Sequence, residues 1–66
     1  MKTISIDNGH STCTVQEAIA GMAWNAIANA MDDETREKVH AELAPCTEEE
    51  FLTRYLEIAP DDLVIG

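Results

Sequence analysis

The sequence predicts an α+β domain, with three helices packed on a small antiparallel sheet formed by an N-terminal strand or hairpin and a C-terminal strand. Three observations carry that prediction. Residues 2–6 (Lys-Thr-Ile-Ser-Ile) alternate polar and β-branched side chains, the period-two pattern of a half-buried strand. The pattern Cys-Thr-x-x-Glu occurs twice, at Cys13 to Glu17 and at Cys46 to Glu50. Each copy reads as a helix-starting capping box ahead of apolar residues. The chain then closes on the apolar run Leu63-Val64-Ile65.

Taken in order, the strand over residues 2–6 meets Asp7-Asn8-Gly9, a turn signal because Asn and Gly accept positive φ at low cost. A second strand over residues 10–13 would complete a hairpin. The first helix starts at Thr14, whose hydroxyl can accept from a free backbone N–H while Glu17 reaches back. Val15, Ile19, Met22, Ala26, Ile27 and Ala30 follow helical spacing and mark its buried stripe. Ala20, Trp24 and Met31 widen that stripe to one side.

Asp32 or Asp33 caps a second helix, which favours acids in its first turn through the helix dipole. It runs to about Ala44, where Pro45 stops it. Val39 and Leu43 form its thin inward face, with His40 beside them. Thr47-Glu48-Glu49-Glu50 opens a third helix that reaches about Ala59 and buries Phe51, Leu52, Tyr55 and Leu56. Pro60-Asp61-Asp62 is a turn, and Leu63-Val64-Ile65 is a strand suited to pairing with residues 3–6.

The chain has 66 residues, of which 45% are hydrophobic, enough for one globular domain and too many for a disordered chain. A core of this size supplies a few kcal/mol of net stability, and a deep substrate pocket would take side chains it cannot spare. Lys2 is followed by no apolar core of a signal peptide. The apolar stretch from Ala18 to Met31 is interrupted by Gly21, Asn25 and Asn29 and is too short to span a bilayer. The expected setting is therefore the cytoplasm.

Charge is the most informative bulk property. Thirteen acidic residues oppose four basic ones, for a formal net charge of −9. Residues 1–31 hold only Asp7 and Glu17 against Lys2, a net of −1, so residues 32–66 carry −8. Such a surface repels nucleic acid and anionic membranes and attracts basic proteins. Direct binding of DNA or RNA is excluded on this ground, and an acidic surface that only keeps a small protein soluble stands as the plain alternative.

The reactive residues point to packing. His10, Cys13, His40 and Cys46 are the residue types of a zinc site, but the His40 to Cys46 spacing is looser than zinc sites use. Both cysteines precede a helix cap, where a small apolar side chain packs on the first turn: Cys13 against Ala18 and Cys46 against Phe51. A Cys13–Cys46 disulfide is disfavoured where thiols stay reduced. No glycine-rich oxyanion loop surrounds either Cys–His pair. Neither Asp32-Asp33-Glu34 nor Glu48-Glu49-Glu50 has the alternating ligands and central glycine of a calcium loop. The reading is a non-enzyme without metal or cofactor.

What remains is the array of carboxylates. With Phe51, Leu52, Tyr55 and Leu56 inward, Glu49, Glu50, Thr53 and Glu57 fall on the outer side of the third helix. Glu34, Glu37 and Glu42 point away from Val39 and Leu43 on the second. The Cβ atoms of residues three or four apart on a helix stand about 5–6 Å from each other, so such acids form a closely spaced row of negative charge, as do the phosphates of a nucleic-acid strand, which advance about 3.4 Å each along the axis. A rigid acidic row can therefore occupy a groove of Lys and Arg built for DNA. A competing reading is a small adaptor or regulator that docks an apolar helix face bearing Trp24, Met22 and Met31, residue types enriched at protein contacts.

In length, net charge, acidic second and third helices and lack of catalytic residues, the chain resembles small acidic proteins of phages and mobile elements, among them the type I anti-CRISPR proteins. Ile4-Ser5-Ile6-Asp7-Asn8-Gly9 and Asp61-Asp62-Leu63-Val64-Ile65-Gly66 are similar to the two ends of such a small bacterial family. The resemblance implies an inhibitor that binds a basic DNA-binding protein, the DNA-contacting subunit of a CRISPR–Cas effector, and fills its channel; the chain is expected to act as a monomer. The contacting charge would come from Asp32, Asp33, Glu34, Glu37, Glu48, Glu49 and Glu57, with Asp61 and Asp62 at the margin.

Overall fold

The computed structural model describes residues 2–66. Strands β1 (Ile4–Ile6) and β2 (Ser11–Cys13) are followed by helices α1 (Val15–Gly21), α2 (Trp24–Ala30), α3 (Asp33–Leu43) and α4 (Glu48–Ile58), and by strand β3 (Leu63–Ile65). The class is α+β as the sequence predicts, but the described residues form four helices, and the sheet is mixed rather than antiparallel.

The sheet has the order β2-β1-β3. β1 and β2 are antiparallel, with Ile4 opposite Cys13 and Ile6 opposite Ser11. The intervening Asp7, Asn8 and Gly9 all have positive φ (52°, 55° and 92°), and the His10 N–H donates to the Asp7 carbonyl at 3.1 Å. The expected Asn-Gly chemistry is thus used, and at Gly9 the absence of a Cβ removes the strain that this backbone would impose on other residues.

β3 pairs with β1 in parallel, Ile4 opposite Leu63 and Ile6 opposite Ile65. The helices decide this direction. The Lys2 N–H donates to the Leu56 carbonyl at 2.8 Å, so the end of α4 lies at the start of β1. The chain leaving α4 then enters β3 at that same end: the Leu63 N–H donates to the Thr3 carbonyl at 3.0 Å, and the Thr3 N–H donates to Asp62 Oδ1 at 3.0 Å. A long helical crossover is what parallel pairing requires.

The first predicted helix is two helices. Met22 (φ −128°, ψ 150°) and Ala23 (φ −69°, ψ 139°) are extended between them. Glycine disfavours helix interiors by about 1 kcal/mol relative to Ala, which makes Gly21 a natural end for α1. Packing supplies the larger reason. Ala18 and Ile27 are both fully buried, yet at about 100° per residue they would face opposite sides of one continuous helix. The break turns both into one core. It also explains why Ala20 and Ala26 are exposed, while Val15, Ile19, Met22 and Ala30 are half-buried.

Local capping is as expected for the other starts. Thr14 and Glu17 form the complete reciprocal box, at 2.9 and 3.1 Å. Asp32 caps α3 and Thr47 caps α4 through the backbone N–H groups of Thr35 and Glu50. The core under the sheet joins Ile4, Leu63 and Ile65 to Ala18, Ile27, Met31, Val39, Leu52, Tyr55 and Leu56. Tyr55 spends its hydroxyl inside this core by accepting the Asp32 N–H at 2.8 Å, which fixes α4 against the start of α3.

Candidate functional site

α3 and α4 form the helical hairpin that carries the acidic half of the chain. Their caps decide where the acids cluster: Asp33 and Glu34 occupy the first turn of α3, and Glu48, Glu49 and Glu50 that of α4. Negative charge is favourable at these helix ends. Every one of the nine carboxylates singled out in the sequence is exposed.

Six of the nine line three depressions. Glu37 and Glu48 flank a groove between α2, α3 and α4. Glu49 and Glu57 lie on another side of the hairpin with Glu50, Thr53 and Arg54. Asp32 and Glu34 lie on a third, beside Lys38 and Pro60. Asp33 pairs with Arg36 at 2.7 Å, and Asp61 and Asp62 belong to the turn before β3.

Basic residues offset only part of this charge. Lys38 stands 3.6 Å from Glu34. Arg54 lies 3.7 Å from Glu57, and its Nε lies 3.0 Å from Glu42, an ion contact off the hydrogen-bonding direction. These are surface pairs, each contributing about 0–1 kcal/mol. Of the eleven acids in residues 32–66, Asp33, Glu34, Glu42 and Glu57 hold ion pairs, which leaves seven without a basic partner among the described residues.

Two of the nine predicted residues also accept backbone N–H groups. Asp62 anchors Thr3, as described above. Asp32 accepts the Thr35 N–H at 3.0 Å and the Thr35 hydroxyl at 2.9 Å. The backbone bond foremost, then the hydroxyl, holds the Asp32 carboxyl below its ordinary value. A carboxyl lowered in the folded state stabilises the fold above its unfolded pKa, and that contribution is lost as pH falls through the folded value. The expected result is a urea-midpoint difference between the wild type and Asp32→Asn that is constant near neutrality and shrinks below about pH 3.9. Subtracting the variant cancels the titration of the other acids.

The groove itself was not legible in the sequence. Trp24 of α2 meets Phe51 of α4 edge-on, with ring centroids 5.6 Å apart and planes at 86°. The groove encloses about 500 Å³ and has Ala28 and Pro45 in its apolar lining. Phe51 was expected inside and is only half-buried. Of the apolar contact residues expected on the first helix, Trp24 lines the groove, but Met31 is 5% exposed and belongs to the core, and Met22 is half-buried against it. Because α2 is a separate helix, Trp24 points to a different side from the one a continuous helix would give it.

Cys46 and His40 also line this groove, whereas Cys13 ends β2 and packs against the core. Both thiols are free. Burial, and secondarily the Glu17 carboxylate, pushes the Cys13 thiol up, which disfavours the reactive thiolate. Among the described residues no three His, Cys, Asp or Glu side chains gather as a metal-binding group. No described helix is long and apolar enough to cross a membrane.

A family model for the anti-CRISPR protein AcrIC5 matches residues 14–58. That segment runs from the cap of α1 to the end of α4 and so contains all four helices and the groove between them. No curated protein and no solved structure matches the chain. The matched segment covers more than half of the chain, and the chain belongs to the AcrIC5 family of anti-CRISPR proteins.

Proposed function

We propose that the chain inhibits its CRISPR–Cas target by seating the acidic α3–α4 hairpin on a basic surface that target DNA would otherwise occupy. The observation that carries this reading is the charge of residues 32–66, a net of −8, of which α3 and α4 carry −5 and the cap Asp32 and the turn residues Asp61 and Asp62 the remaining −3. Among the described residues seven of those acids have no basic partner to neutralise them, and Glu37, Glu48 and Asp61 accept no hydrogen bond. A cationic partner therefore meets free carboxylates rather than spent ones. The same charge keeps nucleic acid away from the protein.

In this reading the inhibitor acts as a monomer in the bacterial cytoplasm, with no cofactor, and its partner is a CRISPR–Cas subunit that binds DNA through Lys and Arg. Asp33, Glu34, Glu37, Glu48, Glu49, Glu57 and Asp61 supply the field, and Asp32 and Asp62 add charge while anchoring helix and strand. The test is competition. A type I-C effector incubated with the chain should fail to bind target DNA, and the chain should fail to bind an effector already loaded with DNA. Raising salt from 0.1 to 1 M shortens the screening length from about 10 to 3 Å, so the inhibitor's affinity should fall steeply over that range. An inhibited effector that still binds its DNA, or an affinity indifferent to salt, rules the proposal out.

A further inference from the structure

We infer that the groove between α2, α3 and α4 receives an arginine side chain of the protein partner; this rests on the reading that the partner surface is basic. The groove combines two features that an arginine uses together. Part of its lining is apolar and aromatic, with the Trp24 and Phe51 rings edge to face at 5.6 Å and Ala28 and Pro45 in the same lining. The lining also includes Glu37 and Glu48, two exposed carboxylates with no basic partner among the described residues.

A guanidinium lies flat on an aromatic face while its edge donates to carboxylates, a combination that the ammonium of lysine reproduces poorly. The protein's own arginine in this lining, Arg36, does not fill that role. Arg36 donates to the Ala28 carbonyl at 2.9 Å and to Asp33 at 2.7 Å, and is thereby held to α2 and its own helix. At about 500 Å³ the groove lies within the roughly 300–1,000 Å³ of small-ligand pockets, ample for one long side chain. A second copy of the chain is a poor occupant, since each copy carries −9.

The test measures affinity for the type I-C effector with three proteins: Trp24→Leu, Trp24→Phe, and the double variant Glu37→Gln/Glu48→Gln. Loss of the cation–π contact should weaken Trp24→Leu by about 3- to 30-fold, and Trp24→Phe should recover part of that loss. The double variant should lose about 10-fold or more; both positions are exposed, so it remains informative if Trp24→Leu fails to fold. Trp24 is the sole tryptophan, and its emission should respond to a tetra-arginine peptide at lower concentration than to tetra-lysine. Wild-type affinity in the folded groove variants, an equal or absent response to the two peptides, or self-association abolished by these variants would each overturn the inference. If groove variants bind normally while charge reversals elsewhere on the hairpin abolish binding, the groove falls and the DNA-competing reading stands; if neither set matters, both fall.

Discussion

Replacing Leu52 by Ala is expected to leave the chain largely unfolded at 25 °C. Leu52 is fully buried on α4, in the one cluster that joins the sheet residues Ile4 and Leu63 to Ile27 of α2 and Val39 of α3. Truncating a buried leucine to alanine costs about 2–5 kcal/mol, through lost transfer energy and the cavity left behind. A core in a chain under roughly 70–80 residues rarely supplies more than about 3–5 kcal/mol in total. The two ranges overlap, so this single deletion consumes most or all of the stability. Far-UV circular dichroism should show lost helicity, and the urea transition should vanish or start in buffer. Leu52→Met, which conserves volume, should cost less than about 1.5 kcal/mol and stay folded. A cooperative transition in Leu52→Ala close to that of the wild type would mean that α4 does not depend on the shared core.

That dependence marks the boundary of what the sequence could tell. The starts of α1, α3 and α4 follow from Thr14, Asp32 and Thr47 because a cap is satisfied by a neighbour three residues away. The Asp7-Asn8-Gly9 reversal is equally local. The break after Gly21 is different: it depends on Ala18 and Ile27 having to share one core, a demand set by α4 and the sheet. The direction of β3 is likewise decided by where α4 ends relative to Lys2, which no alternation of side chains within residues 63–65 can encode.

The same division runs through the candidate site. The excess of carboxylates on α3 and α4 can be counted from composition and helical spacing. The placing of six of them in three depressions depends on how the helices pack, and so does the pairing of Arg54 with Glu42 across from α4 to α3. The aromatic groove arises only because the break frees α2 to carry Trp24 to Phe51. A helical wheel of a continuous first helix places Trp24 beside Met31, which is in fact buried.

Charge reversal away from that groove is the decisive change for the acidic reading, and its expected effect is the loss of inhibition. Glu34, Glu49, Glu57 and Asp61 are exposed, and none of them lines the groove. Changing all four to Lys takes the net charge from −9 to −1, since each reversal counts twice; changing all four to neutral Gln or Asn takes it to −5. The structural cost is modest. It comprises the 3.6 Å and 3.7 Å surface pairs of Glu34 and Glu57, the Gln16 bond to Glu49 at 3.2 Å, and lysines in helix first turns at about 0.3–1 kcal/mol each. Melting curves and circular dichroism should show both variants folded. Steered association runs at about 10⁸–10⁹ M⁻¹s⁻¹ against 10⁵–10⁶ for neutral surfaces, so the reversed protein should bind the effector on the order of 100-fold more slowly. The two variants together separate field from contact. If the partner reads the summed charge, the neutral variant should fall between wild type and reversal, and added salt should compress all three toward one rate. If one carboxylate instead makes an indispensable hydrogen bond, the neutral variant should lose as much as the reversed one, chiefly through faster dissociation. A folded reversal variant that inhibits like the wild type would remove the acidic hairpin from the mechanism altogether.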